Sequence, residues 1–451
     1  MKRTFVLLLA LFSTTYMQGQ RTLTLEECRD LSIKNNKELQ ISGEKVRVAG
    51  YEKQAAVTKY FPQVSAMGTY MRNQKDINLV DRTTVAGLNQ LLPMDVSGFF
   101  HLDIQNVWLG TVSLVQPVFM GGKIIAYNQI TRYARELAES MNDLKLQDLI
   151  YKTDETYWQV VSLVNKKKLA DSYVSLLRKM DGDVQAMIDE GVATPADGLS
   201  VKVKLNEAEM AQTKVDNGLS LSRMALAQLC GLQLDEPVKL ADENIESLDN
   251  PIDTNAAVNV EEAFLNRQEL KSLDYAVRIY EKKEKIALAE VLPNVALTAN
   301  YLVTNPNSFN GYKNEFAGMF NVGVVVQVPL SGWWEGTYKR NAARAETHIR
   351  QLEFEDAKEK IELQVNQSVY KVNEAGKKLT ASARNKEKAE ENLRHATLGF
   401  EEGVIPALNL MEAQTAWVSA QSSLIDAQIE VKLTDIYLTK AMGKLAVPSK
   451  K

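Results

Sequence analysis

Four landmarks occur twice in this chain, in the same order, so any fold for it must be built from two copies of one plan. A helical pattern runs into a proline that opens a strand at Tyr60-Phe61-Pro62-Gln63-Val64, and again at Val291-Leu292-Pro293-Asn294-Val295. A strand ends in a Pro and Gly turn at Val115-Gln116-Pro117-Val118-Phe119-Met120-Gly121-Gly122 and at Val326-Gln327-Val328-Pro329-Leu330-Ser331-Gly332. Glu190-Gly191-Val192 is matched by Glu402-Gly403-Val404, and Cys230-Gly231 by Met442-Gly443, where glycine closes a helical pattern. The last three pairs are displaced by 211 or 212 positions and the proline pair by 231. The excess, 231 less 211, places about 20 additional residues between Pro62 and Gln116, so the connection from about Asn73 to Gln105 reads as a long loop. Each half reads helix, strand, loop, strand, very long helix, turn, long helix.

The strands alternate. Val295, Leu297, Ala299, Tyr301 and Val303 interleave with Asn294, Ala296, Thr298 and Asn300, and Val322, Val324, Val326 and Val328 with Asn321, Gly323, Val325 and Gln327. Val64, Ala66, Gly68 and Tyr70 repeat this more weakly. An ordinary half-buried strand has the same pattern. In lipid, however, backbone groups find no partner outside the chain, so strands cross only as a closed barrel with this alternation. Four strands cannot enclose a water-filled pore, so a barrel would need several chains. Trp333 and Trp334, just past a strand end, fit either a membrane-water interface or a core.

The segments Lys123 to Glu190 and Trp334 to Glu402 contain no proline and few glycines. Each can be one helix of roughly 100 Å at 1.5 Å per residue. The helices that follow carry a seven-residue repeat. Its first copy is Val201, Leu205, Ala208, Gln212, Val215, Leu219, Ser222, Leu226 and Leu229. The second is Ala413, Trp417, Ala420, Leu424, Ala427, Val431, Thr434, Leu438 and Ala441. That period commits both helices to coiled-coil packing, and the small residues let axes approach closely.

Lys2 and Arg3, the apolar run Phe5 to Phe12 and the polar stretch Ser13 to Gln20 have the order of a secretory signal peptide, with cleavage expected near Gly19 or Gln20. No later stretch has eighteen uninterrupted apolar residues, so no spanning α-helix is expected in the mature chain. With 53 basic against 57 acidic side chains, nucleic acid is not an expected partner. Whether Cys28 and Cys230 pair is open at this level. The three histidines, His101, His348 and His395, are scattered, and no zinc, nucleophile-elbow or phosphate-loop motif is present. No enzyme activity, cofactor or metal site is expected. Met67 and Met71 share a strand face without forming a recognisable site.

Three local patterns resemble the TolC-like outer-membrane efflux family, and the resemblance covers essentially the whole mature chain. Leu23-Thr24-Leu25-Glu26-Glu27-Cys28 followed by Asn35-Asn36-Lys37-Glu38-Leu39 looks like the family's opening helix, with Asn36-Lys37 where an Asn-Pro pair is usual. The paired strand ends are similar to its barrel-to-helix transitions. Gly191 with Asp197 and Leu199, and Gly403 with Asn409 and Met411, resemble its helical tips. The resemblance implies a mainly α chain with a membrane β-barrel, built as two tandem repeats. Three chains together would give a 12-stranded β-barrel in the outer membrane and a 12-helix α-barrel tunnel in the periplasm. The expected division is a signal peptide over 1–20, a first repeat over 21–232, a connection over 233–258, a second repeat over 259–445 and a tail over 446–451. The implied function is the exit duct of a tripartite efflux or type I secretion system. Its implied partners are two further copies, outer-membrane lipid, a periplasmic adaptor and, through it, an inner-membrane pump. A periplasmic adaptor or structural coiled-coil protein would share the signal segment and the heptads but not the duplicated strands.

The expected adaptor contacts are Gly191, Val192, Asp197 and Leu199 at one tip and Gly403, Val404, Asn409 and Met411 at the other. Asp189, Glu190, Glu401 and Glu402 are expected to charge the inner aperture, since carboxylates around a symmetry axis select cations. The family commonly sets acidic rings a little before the second tip, where this chain has Arg394-His395-Ala396-Thr397. The cargo is not legible.

Overall fold

The computed structural model describes residues 21–236, 238–244 and 259–445. The expected signal peptide, the tail and most of the connection 233–258 lie outside the described residues.

The first repeat opens with β1 (Arg21–Leu23), α1 (Leu25–Asn35), α2 (Lys37–Val57) and β2 (Gln63–Arg72). An insert of β3 (Ile77–Asn78), α3 (Arg82–Leu91), α4 (Ser97–Phe100) and β4 (His101–Leu102) precedes β5 (Asn106–Met120). The hairpin of α5 (Lys123–Asp189) and α6 (Pro195–Cys230) follows, then β6 (Val238–Leu240). The second repeat runs α7 (Val260–Asn266), α8 (Gln268–Ala289), β7 (Asn294–Asn305), β8 (Ala317–Gln327), α9 (Gly332–Glu401) and α10 (Ala407–Ala441).

The two compact units do not follow the two repeats, since each draws on both. The first holds Val46–Ala138 and Ser272–Phe354. Its centre is a four-stranded antiparallel sheet in the order β2-β5-β7-β8, so each repeat contributes one strand pair and β5 joins β7 at the middle. Pro117 lacks the N–H that a ladder position needs, and the β5–β7 register shifts between Pro117 and Phe119. At the turn into α5, Gly121 has φ 60°, and a Cβ there would lie 2.9 Å from the Ala289 carbonyl oxygen, so only glycine fits.

The connection from Asn73 to Gln105, expected as a loop, is a small folded insert. Asn73 N–H donates to the Gln105 carbonyl at 2.7 Å. The Asp76 carboxylate accepts from the N–H groups of Ile104 and Gln105, both at 3.1 Å. Asp81 caps α3 by accepting from the Thr83 hydroxyl and N–H, and these hydrogen bonds, the hydroxyl first, hold its carboxyl below the usual aspartate range.

The second unit is helical and takes its described residues from 1–45, 139–271 and 355–451. As the proline-free segments imply, α5 and α9 are unbroken over 67 and 70 residues. Every position of both heptad stripes is buried or half-buried. In α10 a second set, Leu410, Gln414, Ile425 and Ile429, is buried as well. Tyr157, Val160 and Val161 of α5, Leu219 and Leu226 of α6, and Ile425 and Ile429 of α10 share one core with Leu23 and Leu240 of the parallel β1–β6 pair. Cys28 and Cys230 lie in that core as buried thiols, with Cys230 Sγ 3.7 Å from the Cys28 carbonyl oxygen, and no disulfide joins them.

A fifth repeated landmark appears at the helix breaks. Asn36 (φ −66°, ψ 122°) ends α1 and Arg267 (φ −66°, ψ 121°) ends α7. Beside them, Asn35 Nδ2 donates to the Cys230 carbonyl at 2.8 Å and Arg267 Nη1 to the Ala441 carbonyl at 3.1 Å. Each break thus satisfies a carbonyl that the end of α6 or α10 leaves without a helical partner.

Candidate functional site

Strand register sorts the sheet side chains into two faces, because successive residues point to opposite sides. Val64 pairs with Leu114, Leu114 with Ala299 and Ala299 with Val322, placing these four on one face. The same face carries Ala66, Val112, Tyr301 and Phe320 one rung along, and Leu297, Val324, Val295 and Val326 in the other direction. The opposite face carries Ser65, Ser113, Asn300 and Asn321 on one rung, with Thr69, Thr111, Thr298 and Thr304 nearby. Asn300 Nδ2 donates to Asn321 Oδ1 there at 3.1 Å. The first face is suited to lipid, and the second, which mixes these polar residues with Met67, Leu302, Met319 and Val325, is the one suited to water.

Aromatic rings flank the apolar face at both ends. At the insert end Tyr70 and Trp108 have ring centroids 4.5 Å apart, and the Tyr70 hydroxyl donates to Asn106 Oδ1 at 2.9 Å. Tyr301 lies at this end too, and a Cβ on Gly318 of the adjoining strand would run into its hydroxyl, so glycine makes room for the ring. At the helix end Trp333 and Trp334 are 59% and 80% exposed, outside the core of the single chain. Trp333 Nε1 donates to the Val291 carbonyl at 3.2 Å. The 12 residues of β7 make about 36 Å of strand at 3.3 Å per residue, which at a tilt of about 40° spans about 28 Å, enough for the apolar band of a membrane barrel.

The tips are built by one turn chemistry used twice. At the end of α5, Gly191 takes φ 77°, its N–H donates to the Ile188 carbonyl at 3.0 Å, and Val192 N–H donates to the Met187 carbonyl at 2.8 Å. At the end of α9, Gly403 takes φ 70°, donating to Phe400 at 3.0 Å, with Val404 donating to Gly399 at 2.8 Å. Both are left-handed caps that close the last carbonyls of a helix. The entries to the return helices differ. Thr194 caps α6 in a reciprocal box with Asp197, and Pro195 is the first helical residue. Those hydrogen bonds, the Thr194 side chain first, hold the Asp197 carboxyl below its ordinary value. Pro406 is the residue before α10 and makes no side-chain cap.

The expected contact residues separate on inspection of their exposure. Val192 and Val404 are 72% and 77% exposed, and Leu199 65%. Met411, at the repeat position of Leu199, is 2% exposed and packs with Val184 and Val201. Asn409 is exposed, while Asp197 is occupied by the cap. A Cβ on Gly191 or Gly403 would meet nothing within 4 Å, so their backbones are approachable. A cleft of about 310 Å³ lies between the tips, lined by Met187, Val192, Phe400, Val404 and Ile405 among others. Asp189, Glu190, Glu401 and Glu402 are all exposed at the ends of α5 and α9. Before the second tip, Glu391 accepts from Arg394 at 2.7 Å and lies 3.0 Å from His395 Nε2, and these partners, Arg394 foremost, hold its carboxyl below the usual range. Among the described residues no group of three His, Cys, Asp or Glu side chains could hold a metal ion.

No curated protein sequence matches the chain. Solved channels do match it along nearly its whole length. VceC from Vibrio cholerae shares 16% identity and a TM-score of 0.73 over 93% of this chain and 96% of its own. CmeC from Campylobacter jejuni shares 13% and 0.78 over 95% and 87%, and MtrE from Neisseria gonorrhoeae 15% and 0.74 over 95% and 91%. The sequence profile described as outer membrane efflux protein matches residues 29–232 and 259–444. Channels of this family are trimers. Since the profile takes in both repeats, the chain belongs to the outer membrane efflux protein family and is a non-catalytic efflux channel of the Gram-negative outer membrane, with its helices extending into the periplasm.

Proposed function

We propose that the two tips are the docking face for a periplasmic adaptor, through which an inner-membrane pump feeds the duct. The reading is carried by the repetition of one exposed feature: a glycine with open space above it followed by an exposed valine, Gly191-Val192 and Gly403-Val404. Three chains with two tips each present six similar sites, which suits a ring of six adaptor units. Leu199 extends this surface, whereas Met411 and Asp197 support it from below.

The polar face of the sheet carries no charged residue between Gln63 and Met71 or between Asn294 and Thr304, so charge selection falls to the helices. Asp189, Glu190, Glu401 and Glu402 stand at helix C-termini, where the dipole disfavours negative charge, and neither helix has a basic residue in its last turn. Such placement costs helix stability and supports a role for these acids at the aperture.

Asparagine tolerates left-handed φ, so Gly191→Asn with Gly403→Asn keeps both caps and adds only a side chain. Together with Val192→Asp and Val404→Asp, it should abolish export by cells while trimer yield and bilayer conductance stay normal. Full export by the combined variant would mean that the adaptor docks elsewhere.

A further inference from the structure

We propose that the insert between β2 and β5 clasps the neighbouring protomer at the outer rim of the barrel, seating its apolar tip on the β7–β8 loop of a second copy of this chain. The sheet ends in β2 on one side and β8 on the other. A cyclic barrel of identical four-stranded sheets closes in one way only, with β2 of one protomer beside β8 of the next. The insert leaves the sheet from the last residue of β2, Arg72, which pairs with Asn106. The loop 306–316 enters β8 at Ala317, which pairs with Thr304, at the same end of the sheet. Across the seam the large insert of one chain and the short loop of the next are therefore one strand spacing apart, about 5 Å.

The insert is a small folded unit with exposed apolar side chains. Asn89 holds it together, donating to Asp95 at 2.8 Å and Ser97 at 2.9 Å and accepting from Val96 N–H at 2.8 Å. Yet Leu91 is 83% exposed, Phe99 68% and Met94 57%, and no charged residue stands between Leu88 and Met94. Three large apolar side chains left exposed within nine residues of one small folded unit favour a partner that covers them. Phe316 and Phe309 of the loop are 65% and 41% exposed, giving the patch an aromatic counterpart continuous with the seam.

This inference rests on the trimeric barrel, and the wild-type protein in detergent tests that first: a monomer there ends both readings. Given a wild-type trimer, Leu91→Ser with Phe99→Ser should lower its dissociation temperature on semi-native gels by roughly 5–10 °C. Independently, Leu91→Cys with Phe316→Cys should give chains covalently linked to their neighbours on mild oxidation, leaving the insert otherwise intact. An unchanged dissociation temperature with no intermolecular link overturns the clasp. So does a link confined within one chain, linking by Leu91→Cys alone, which would put the inserts against one another, or a loss of stability seen only in lipopolysaccharide-containing bilayers, which would make lipid the occupant.

Discussion

Arg29 and Asp154 form a bidentate ion pair inside the helical unit. Arg29 Nε and Nη2 donate to the carboxylate at 2.7 and 2.6 Å, and the Asp154 side chain is fully buried. Burial pushes the Asp154 carboxyl upward, and the Arg29 hydrogen bond pulls it back. Arg29→Ala removes the counter-charge and should cost roughly 3–5 kcal/mol, read as a lowered thermal midpoint of the purified trimer. The sign with pH follows. Without Arg29 the folded-state value rises further above the unfolded one, so the deficit is largest at neutral pH and shrinks as pH falls through that raised value. A deficit that stays constant as the pH is lowered from 8 all the way to the acid-unfolding transition would show that charge is not the cause. Nothing in the sequence pairs these two residues, which stand 125 positions apart. Asn35 and Asn266 are different, because each is followed by Glu and Leu three and four positions later, displaced by the same 231 as the proline pair. The repeated spacing is there to be read, but the side chain that closes a distant helix is Asn35 in the first copy and Arg267, the neighbour of Asn266, in the second.

Among the elements, legibility followed the range of the interactions. A heptad is a local signal, and both stripes are buried as the period requires. The second buried set of α10 depends on α5 and α6 packing against it together, which a one-dimensional period does not encode. The same packing buries Met411 while Leu199 stays exposed, so equal repeat positions meet unequal surroundings. The insert escaped because its helices are short, and α3 depends on the Asp81 cap and on a base tied by Asp76 and Asn73. Outer-membrane barrels carry their longer connections on the outside. Trypsin added to intact cells should therefore cut at Lys75 or Arg82, both exposed in the insert. Cleavage that requires permeabilised cells would reverse the orientation.

For the whole molecule, the purified protein should insert into planar bilayers as a trimer and conduct ions with a cation preference. Replacing Asp189, Glu190, Glu401 and Glu402 by Gln should reduce that preference, because the polar sheet face offers no charge to replace theirs. Unchanged ion selectivity in the fourfold variant would remove these acids from the aperture. The sheet itself bears on how such an assembly counts its members. β2 and β8 run in opposite directions, so a ring of two, three or five chains closes with every seam antiparallel and no strand mismatched. Strand pairing alone has no parity rule that picks three. We expect the number to be set with the helices, whose packing angle bears on how far each chain turns from the last. A chain shorn of its two helical hairpins would keep both sticky edges and lose its arithmetic, giving rings of mixed size and open ribbons.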